Sequence, residues 1–536
     1  MDSQQPGTKK RVGGVNDTEE VLKNSTASET ASSRLVNSEQ GSTQKQSSPP
    51  MESHIKAKRR YISFFISNMN FGKLLSFFTS LGRAERSNSL SQLDFDINPI
   101  TGFVPSEPLP RLSSEFKLWE EMLAEASDVL KLGDNNSEEA LALKTKGDGW
   151  RANIRSIPVL DIQSLKFRPR HLQRVHVVLT WLVQYYVHSL PPSIEAKQVP
   201  ASLAVPLVDV SRMLGIAPVI TFSDTVIWNW ELICPENPVT IDNMAVVHTF
   251  SGSEDEQHFY LVQAAIELHG VQILHIIEEY TQISDLDEPT ISKIAGDLAR
   301  LTMTVEEISD LIQSIRTGCD PQVFNWEMQP WYNGNDAKGE GDPGWIYDGV
   351  DPTSPELKHL SGPSGGQSPV MQALDIFLGI DHGLEKEYST DGDDKPADHG
   401  FMDRMRFHML GNHRAYLEHL KKLPRSVRDL AACIPALHKP YNDAIAALKN
   451  LRRLHMRIAV MYNVNVSRTT SVQSNHPDIE VAESRHEPGS EYVTKNNRDE
   501  NREPVRGSGG GDVIRLLRAG VDATSRATLR DPLVSI

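Results

Sequence analysis

The chain has 536 residues, 39% of them hydrophobic, and a net charge of −16. That is enough for a sizeable core and for about two to four domains, and an acidic chain without a basic stripe is not expected to bind nucleic acid. Its three cysteines, Cys234, Cys319 and Cys433, form no paired motif, so neither a disulfide framework nor a zinc site is expected, and reduced thiols fit a cytoplasmic protein.

Residues 1–55 are rich in Ser, Thr, Gln and Asn. With so few apolar side chains they cannot offset the entropy of ordering, and residues 1–93 read as a disordered, low-complexity extension. The opening MDSQQPGTKKRVGG is polar, unlike a cleavable signal sequence. No run approaches the ~18 apolar residues of a transmembrane helix. Within the extension, residues 56–83 place the basic cluster KAKRR before an aromatic, interrupted apolar stretch. This segment can lie on a membrane surface. A helix packed on the body, or an added stretch outside the fold, is the favoured reading.

From about Asp94 the pattern becomes globular. Ser114–Leu132 and Arg170–Leu190 carry helical periodicity, the second stopped by Pro191 and Pro192. Val219–Phe222 is too short to argue a sheet. Further helical patterns run over Gln257–Tyr280, Ile291–Ser314, Gln367–Gly379, Met402–Leu420, Ser426–Ile434 and Lys439–Val464. Two polar inserts, 385–400 and 467–504, interrupt them. The class is all-α, with a small helical domain over 94–235 and a large one over 236–536.

Several chemistries lack their motifs. There is no G-x-S-x-G in a strand–turn–helix setting, no H-E-x-x-H and no G-x-G-x-x-G after a strand. Two Gly/Ser loops precede helical patterns, HLSGPSGGQSP at 359–369 and RGSGGGD at 506–512. Such loops can bind an anion, but a plain connector is the commoner case. His408 and His413 are five apart and His269 and His275 six apart, so neither pair suits two-ligand metal binding on one helix. His455 stands in NLRRLHMRIAVMYNV beside or on the apolar face marked by Leu451, Leu454 and Ile458. A buried imidazole needs partners. A backbone carbonyl is one, and a metal is another. A haem requires only one axial histidine on a buried helix, an apolar cavity, and cations for its propionates. Arg452, one turn before His455, is placed for that last task.

Taken in order, several segments resemble the indoleamine 2,3-dioxygenase family of haem enzymes. They are LAVPLVDVSRMLGIAPVITFSDTVIWNW, HFYLVQAAIELHG, DPQVFNWEMQPWYNG, LSGPSGGQSPVMQALDIFLGIDH, MLGNHRAYLEHL, LRRLHMRIAVMYNV and the closing GSGGGD. The resemblance covers the chain from about Asp94 onward. It implies an all-α haem-binding fold, with haem b, an indole and O2 as partners, in a monomer. It implies His455 as the proximal iron ligand, Arg452 at a haem propionate and Asp375 supporting Arg452. It puts Phe259 and Phe324 against the indole, Val226 and Tyr260 on the pocket wall, and Ser364 and Gly365 in the loop over haem and substrate. His413 and Arg414 read as structural.

The departures from the family pattern concentrate at the substrate. Gln329, followed by Pro330, stands where the family has an arginine that pairs with the tryptophan carboxylate. Gln263 replaces a serine, Pro363 a glycine, Gly511 a threonine and Phe222 a tyrosine. The implied reaction is insertion of O2 across the indole C2=C3 bond of L-tryptophan, giving N-formylkynurenine. Alternatives are oxygenation of another indole, which a neutral Gln329 favours, and a haem-binding paralogue without turnover.

Overall fold

The computed structural model describes residues 91–335, 344–358, 360–382, 400–465 and 513–530. The expectations for residues 1–90, for 385–399 and 467–504, and for Gly511 lie outside the described residues. In chain order the main helices are α1 (Lys117–Val129), α2 (Glu138–Ser156), α3 (Pro169–His188), α4 (Ala201–Leu214), α5 (Glu254–His269), α6 (Val271–Thr281), α7 (Glu288–Gly318), α8 (Pro369–Phe377), α9 (Phe401–Arg406), α10 (Gly411–Lys421), α11 (Val427–Cys433), α12 (Pro435–Val460) and α13 (Val513–Ala527). Strand is confined to two small pairs among the described residues. β1 (Lys197–Val199) runs parallel to β4 (Trp345–Tyr347), and β2 (Trp230–Leu232) antiparallel to β3 (Met244–Val246). The fold is all-α, and Val219–Phe222 forms no strand.

Helix α3 is buried at every position from Leu172 to Val187, as a helix without a polar face must be. Pro169 in its first turn needs no N–H partner there. Several of its polar side chains are answered inside. Arg174 meets Glu120 in a two-pronged pair at 2.8 and 2.6 Å. Gln184 donates to the carbonyl of Trp331 at 2.8 Å. His176 contacts Asp224 at 2.7 Å through Nδ1 and the Ala217 carbonyl at 3.0 Å through Nε2. Asp224 also accepts from the backbone N–H and hydroxyl of Thr221. This fixes the wide turn Ser223–Ile227, whose hydrogen bonds span five residues.

Two hydrophobic cores share the molecule. One gathers α1 to α5 around α3. The other gathers α6, α8, α10, α11 and α13 with most of α7 and α12. The ends of α7 and α12 cross over: Leu311, Ile315, Ile458 and Tyr462 belong to the first core. These two long helices pack on each other more extensively than any other pair. The stretch Glu254–Thr281 is apolar enough to cross a membrane, but 67% of its most apolar window is buried inside the protein, as in a core helix.

The expected helices form with shifted ends. Gln257–Tyr280 divides at Gly270, where a Cβ would stand 2.3 Å from a Val370 methyl. The missing side chain lets α8 approach. Met402–Leu420 divides at residues 407–410. α7 extends to Glu288 and Gly318, capped by Asp287, whose side chain accepts from Thr290 N. α12 begins at Pro435 and gives way at Met461 to a second wide turn, Met461–Asn465. α2 and α4 were not expected. The 3₁₀ turn Gln92–Phe95 crosses the expected boundary at 93, and Gln92 is buried on the carbonyl of Leu274.

Asp224→Ala leaves Nδ1 of His176 and the N–H and hydroxyl of Thr221 without their carboxylate in the core. The expected loss is about 3 kcal/mol of stability, read as a fall in the urea midpoint. A loss below about 1 kcal/mol contradicts the assignment of Asp224 as the lock on this turn.

Candidate active site

A cavity of about 370 Å³ opens where the two cores meet, within the size range of small-molecule and cofactor sites. α5 supplies Phe259, Gln263 and Ile266, and α7 supplies Ile308, Ile312 and Ile315. α12 forms another wall with Leu451, His455, Ile458 and Ala459. Three wide turns are described, Ser223–Ile227, Phe324–Met328 and Met461–Asn465. All three place side chains on the cavity: Thr225, Phe324, and Tyr462 with Asn463. Such insertions in helices recur at functional sites. Pro330 explains one locally, since it has no N–H to continue a regular ladder.

His455 is partly exposed, and the cavity is what it lines. No described hydrogen bond engages its ring. Burial, and then the nearby Arg452 guanidinium, hold its pKa below the ordinary histidine value. The neutral ring keeps a lone pair, which is the metal-ligating form. Among the described residues no group of three His, Cys, Asp or Glu is placed to hold a bare ion. One imidazole on an apolar cavity suits an iron that brings its own equatorial ligands.

Arg452 is held on two sides. It reaches Asp375 Oδ1 at 2.5 Å, the Gly520 carbonyl at 3.2 Å and the Thr524 hydroxyl. His382 Nε2 lies 2.8 Å from the other oxygen of Asp375. Burial alone would raise the pKa of Asp375, but Arg452 and His382 outweigh it and leave the carboxyl below its usual range.

The rings of Phe259 and Phe324 stand 5.2 Å apart at 51°. Phe324 meets Tyr462 edge-on at 5.5 Å, and the Tyr462 hydroxyl donates to the Cys319 carbonyl at 2.6 Å. Glu256, in the first turn of α5, is fully buried and accepts the backbone N–H groups of Phe250 and Ser251. It also accepts the hydroxyls of Tyr260 at 2.8 Å and Tyr332 at 3.4 Å, which positions two more cavity residues.

Residues 362–368 run along the cavity as a pinned strap. Gln367 accepts from Phe222 N and donates to the Gly362 carbonyl, both at 2.8 Å. Gln372 donates to the Gly366 carbonyl at 2.8 Å. Ser364 and Gly365 line the cavity within this strap, with Pro363 beside them. Ser368 donates to the buried carboxyl of Glu267, whose pKa is pushed by burial up to about 7, against the opposing hydrogen bonds from Ser368 and the Val370 backbone.

The sequence profile described as Indoleamine 2,3-dioxygenase matches residues 91–527. The chain belongs to the indoleamine 2,3-dioxygenase family. It is 26% identical to indoleamine 2,3-dioxygenase 1 of Rattus norvegicus over 85% of this chain and 99% of that protein. It is 28% identical to indoleamine 2,3-dioxygenase 2 of Homo sapiens over 82% and 96%. With the Saccharomyces cerevisiae indoleamine 2,3-dioxygenase the identity is 28% over 72% and 82%. The family is one of haem-dependent oxidoreductases acting on an indole and O2.

Of the residues singled out from the family resemblance, the structure gathers Phe259, Phe324, Gln329, His455, Arg452, Asp375, Ser364 and Gly365 around this cavity. Val226 is not among the residues on the cavity wall: it is buried in the first core, and its neighbour Thr225 lines the cavity. A turn with i→i+5 bonds rotates its side chains out of the ordinary helical phase. Gln263, Tyr260 and Phe222 all reach the cavity. His413 lies outside it, buried edge-on to Phe103 at 4.8 Å with its pKa lowered by burial to about 4. Arg414 beside it donates to the carbonyls of Phe407 and Met409. Sequence reasoning missed Glu267, Asn325 and His382. A glutamate in the apolar run LVQAAIELHG was the one available signal for the first.

Glu267 has a folded pKa above the ordinary carboxyl value of 4.5. The native state therefore holds more protons than the unfolded chain between the two values, and this group's contribution to stability falls as pH rises through that window and is flat above it. Glu267→Gln removes the slope. Relative to the parent, the variant's urea midpoint is expected to rise between pH about 5 and about 8; a difference independent of pH contradicts the assignment.

Proposed function

We propose that this chain opens the indole C2=C3 bond of L-tryptophan with O2, giving N-formylkynurenine, on a haem b carried by His455. The observation that carries the reading is an imidazole without a described protein partner, facing an apolar cavity beside an anchored guanidinium. Family membership supports it. His455 would hold the iron, and Arg452, kept in place by Asp375, would meet a propionate. Ser364 and Gly365 would cover the group, and Thr225 with Val226 behind it would back the pocket. When bound, haem supplies the iron that activates dioxygen.

The chain's own part is orientation and exclusion of water. Phe259 and Phe324 pack on each other at a tilt and together present an aromatic wall against which a flat indole can lie. Tyr462, tied to the Cys319 carbonyl, keeps Phe324 from swinging away. The strap at 362–368 shields the opening, pinned by Gln367 and Gln372. No side-chain proton transfer is needed for this role. The substrate's side chain meets Gln329, which carries no charge. Replacing a charge-assisted bidentate pair by a neutral donor costs about 1.5–3 kcal/mol, or about tenfold or more in affinity. That observation favours a second reading, oxygenation of an indole without a free carboxylate.

Reduced, haem-loaded protein is expected to convert L-tryptophan in air to a product heavier by two oxygen atoms, read by mass spectrometry. His455→Ala is expected to lose both turnover and the histidine-ligated haem spectrum, with the spectrum partly restored by added imidazole. Unchanged haem ligation in that variant contradicts the assignment.

A further inference from the structure

Asn325 lies one helical turn before Gln329 and is buried. Its Nδ2 lies 3.4 Å from the backbone carbonyl of Tyr462 and 3.2 Å from Oε1 of Gln329. A backbone carbonyl can only accept. The side of Asn325 turned to Tyr462 must therefore be its amino group. The same amino group has a second N–H for Gln329, so the oxygen of Gln329 faces Asn325. That leaves the Nε2 amino group of Gln329, which no described acceptor engages, to serve the cavity that Gln329 lines.

The charges around the cavity point the same way. Among the described lining residues Arg452 is the only Arg or Lys. Its guanidinium is anchored by Asp375, Gly520 and Thr524, and the proposed reading assigns it to a haem propionate, not to the substrate. No free cation is described on the wall to meet a carboxylate.

We infer that Asn325 is a positioning residue that sets Gln329 as a neutral hydrogen-bond donor, so that the site takes indoles whose side chain ends in an acceptor, charged or neutral, without selecting the carboxylate. This rests on the proposed indole-oxygenating reaction and specifies its substrate class. A carboxamide or ester oxygen satisfies Nε2 as a carboxylate oxygen does. What the carboxylate gains elsewhere from a guanidinium, in charge and in a two-pronged fit, is missing here.

The test is calorimetric binding of L-tryptophan, L-tryptophanamide and tryptamine to the haem-loaded full chain, with turnover of each followed in parallel. The acid and the amide are expected to bind within about threefold of each other, and tryptamine, which has no acceptor, about tenfold more weakly. Gln329→Arg is expected to shift the acid-to-amide ratio toward the acid by about tenfold or more. Asn325→Leu is expected to raise KM for both acid and amide while leaving kcat and their ratio unchanged. A purely structural role would lower the unfolding midpoint without that split. Selection of the acid by about tenfold or more in the parent, or an unshifted ratio in Gln329→Arg, overturns the inference. Product formation with the acid selected overturns the inference and leaves the reaction standing. Binding of acid and amide alike with no oxygenated product overturns the reaction and leaves the donor assignment standing. No binding of any of the three overturns both.

Discussion

The architecture depends on one unmet requirement, the lone pair of His455 on the cavity side of α12. Arg452 and Asp375 on the same cavity have partners of their own. Arg452 is bound to Asp375, Gly520 and Thr524, and Asp375 is shared with His382. Holding an imidazole in that position takes a long, well-packed helix. α12 meets the requirement by packing along α7 and by joining both hydrophobic cores. The cavity is lined from both cores, with side chains of α7 and α12 on its wall.

Around that axis the described residues depart from regular helix in three wide turns, and each places a side chain on the cavity. Asp224 and His176 hold the first wide turn, Pro330 accompanies the second, and the third ends α12. A regular helix would carry these side chains past the opening in the ordinary phase. The extra residue turns Thr225, Phe324 and Tyr462 toward it. The strap from Gly362 to Ser368 is fixed by side-chain amides to backbone carbonyls and by Gln367 to Phe222, so loop and wall are tied into one frame.

The long helices were legible because their apolar residues recur with the helical period over many turns. α2 was not, since its charges and its two glycines, Gly147 and Gly149, dilute the pattern. α4 was not, since it is buried on nearly every side and contains Pro206. Family resemblance named Asp375 with Arg452 and His455 although it lies 77 positions before Arg452, and the fold brings all three to one cavity. It named Val226 and missed Thr225 because position in sequence does not reveal the phase of a widened turn. Asn325 was invisible for a different reason. Its orientation is set by a carbonyl 137 positions away, and nothing in the local sequence marks it.

On the proposed reading, the side that would hold haem and the side that would meet the substrate differ in character. The first is charged, paired and anchored; the second is neutral and amide-lined, from Gln263 to Gln329. Such a site can keep the oxygen chemistry of its family while loosening the choice of indole. The central claim is that both atoms of one O2 molecule enter the opened ring on this scaffold. It is tested most directly by supplying reduced, haem-loaded protein with L-tryptophan under a mixture of ¹⁶O₂ and ¹⁸O₂. The account predicts early product carrying either two heavy oxygens or none. Product with a single heavy oxygen as the main species, or no product from a protein with normal histidine-ligated haem, would contradict it.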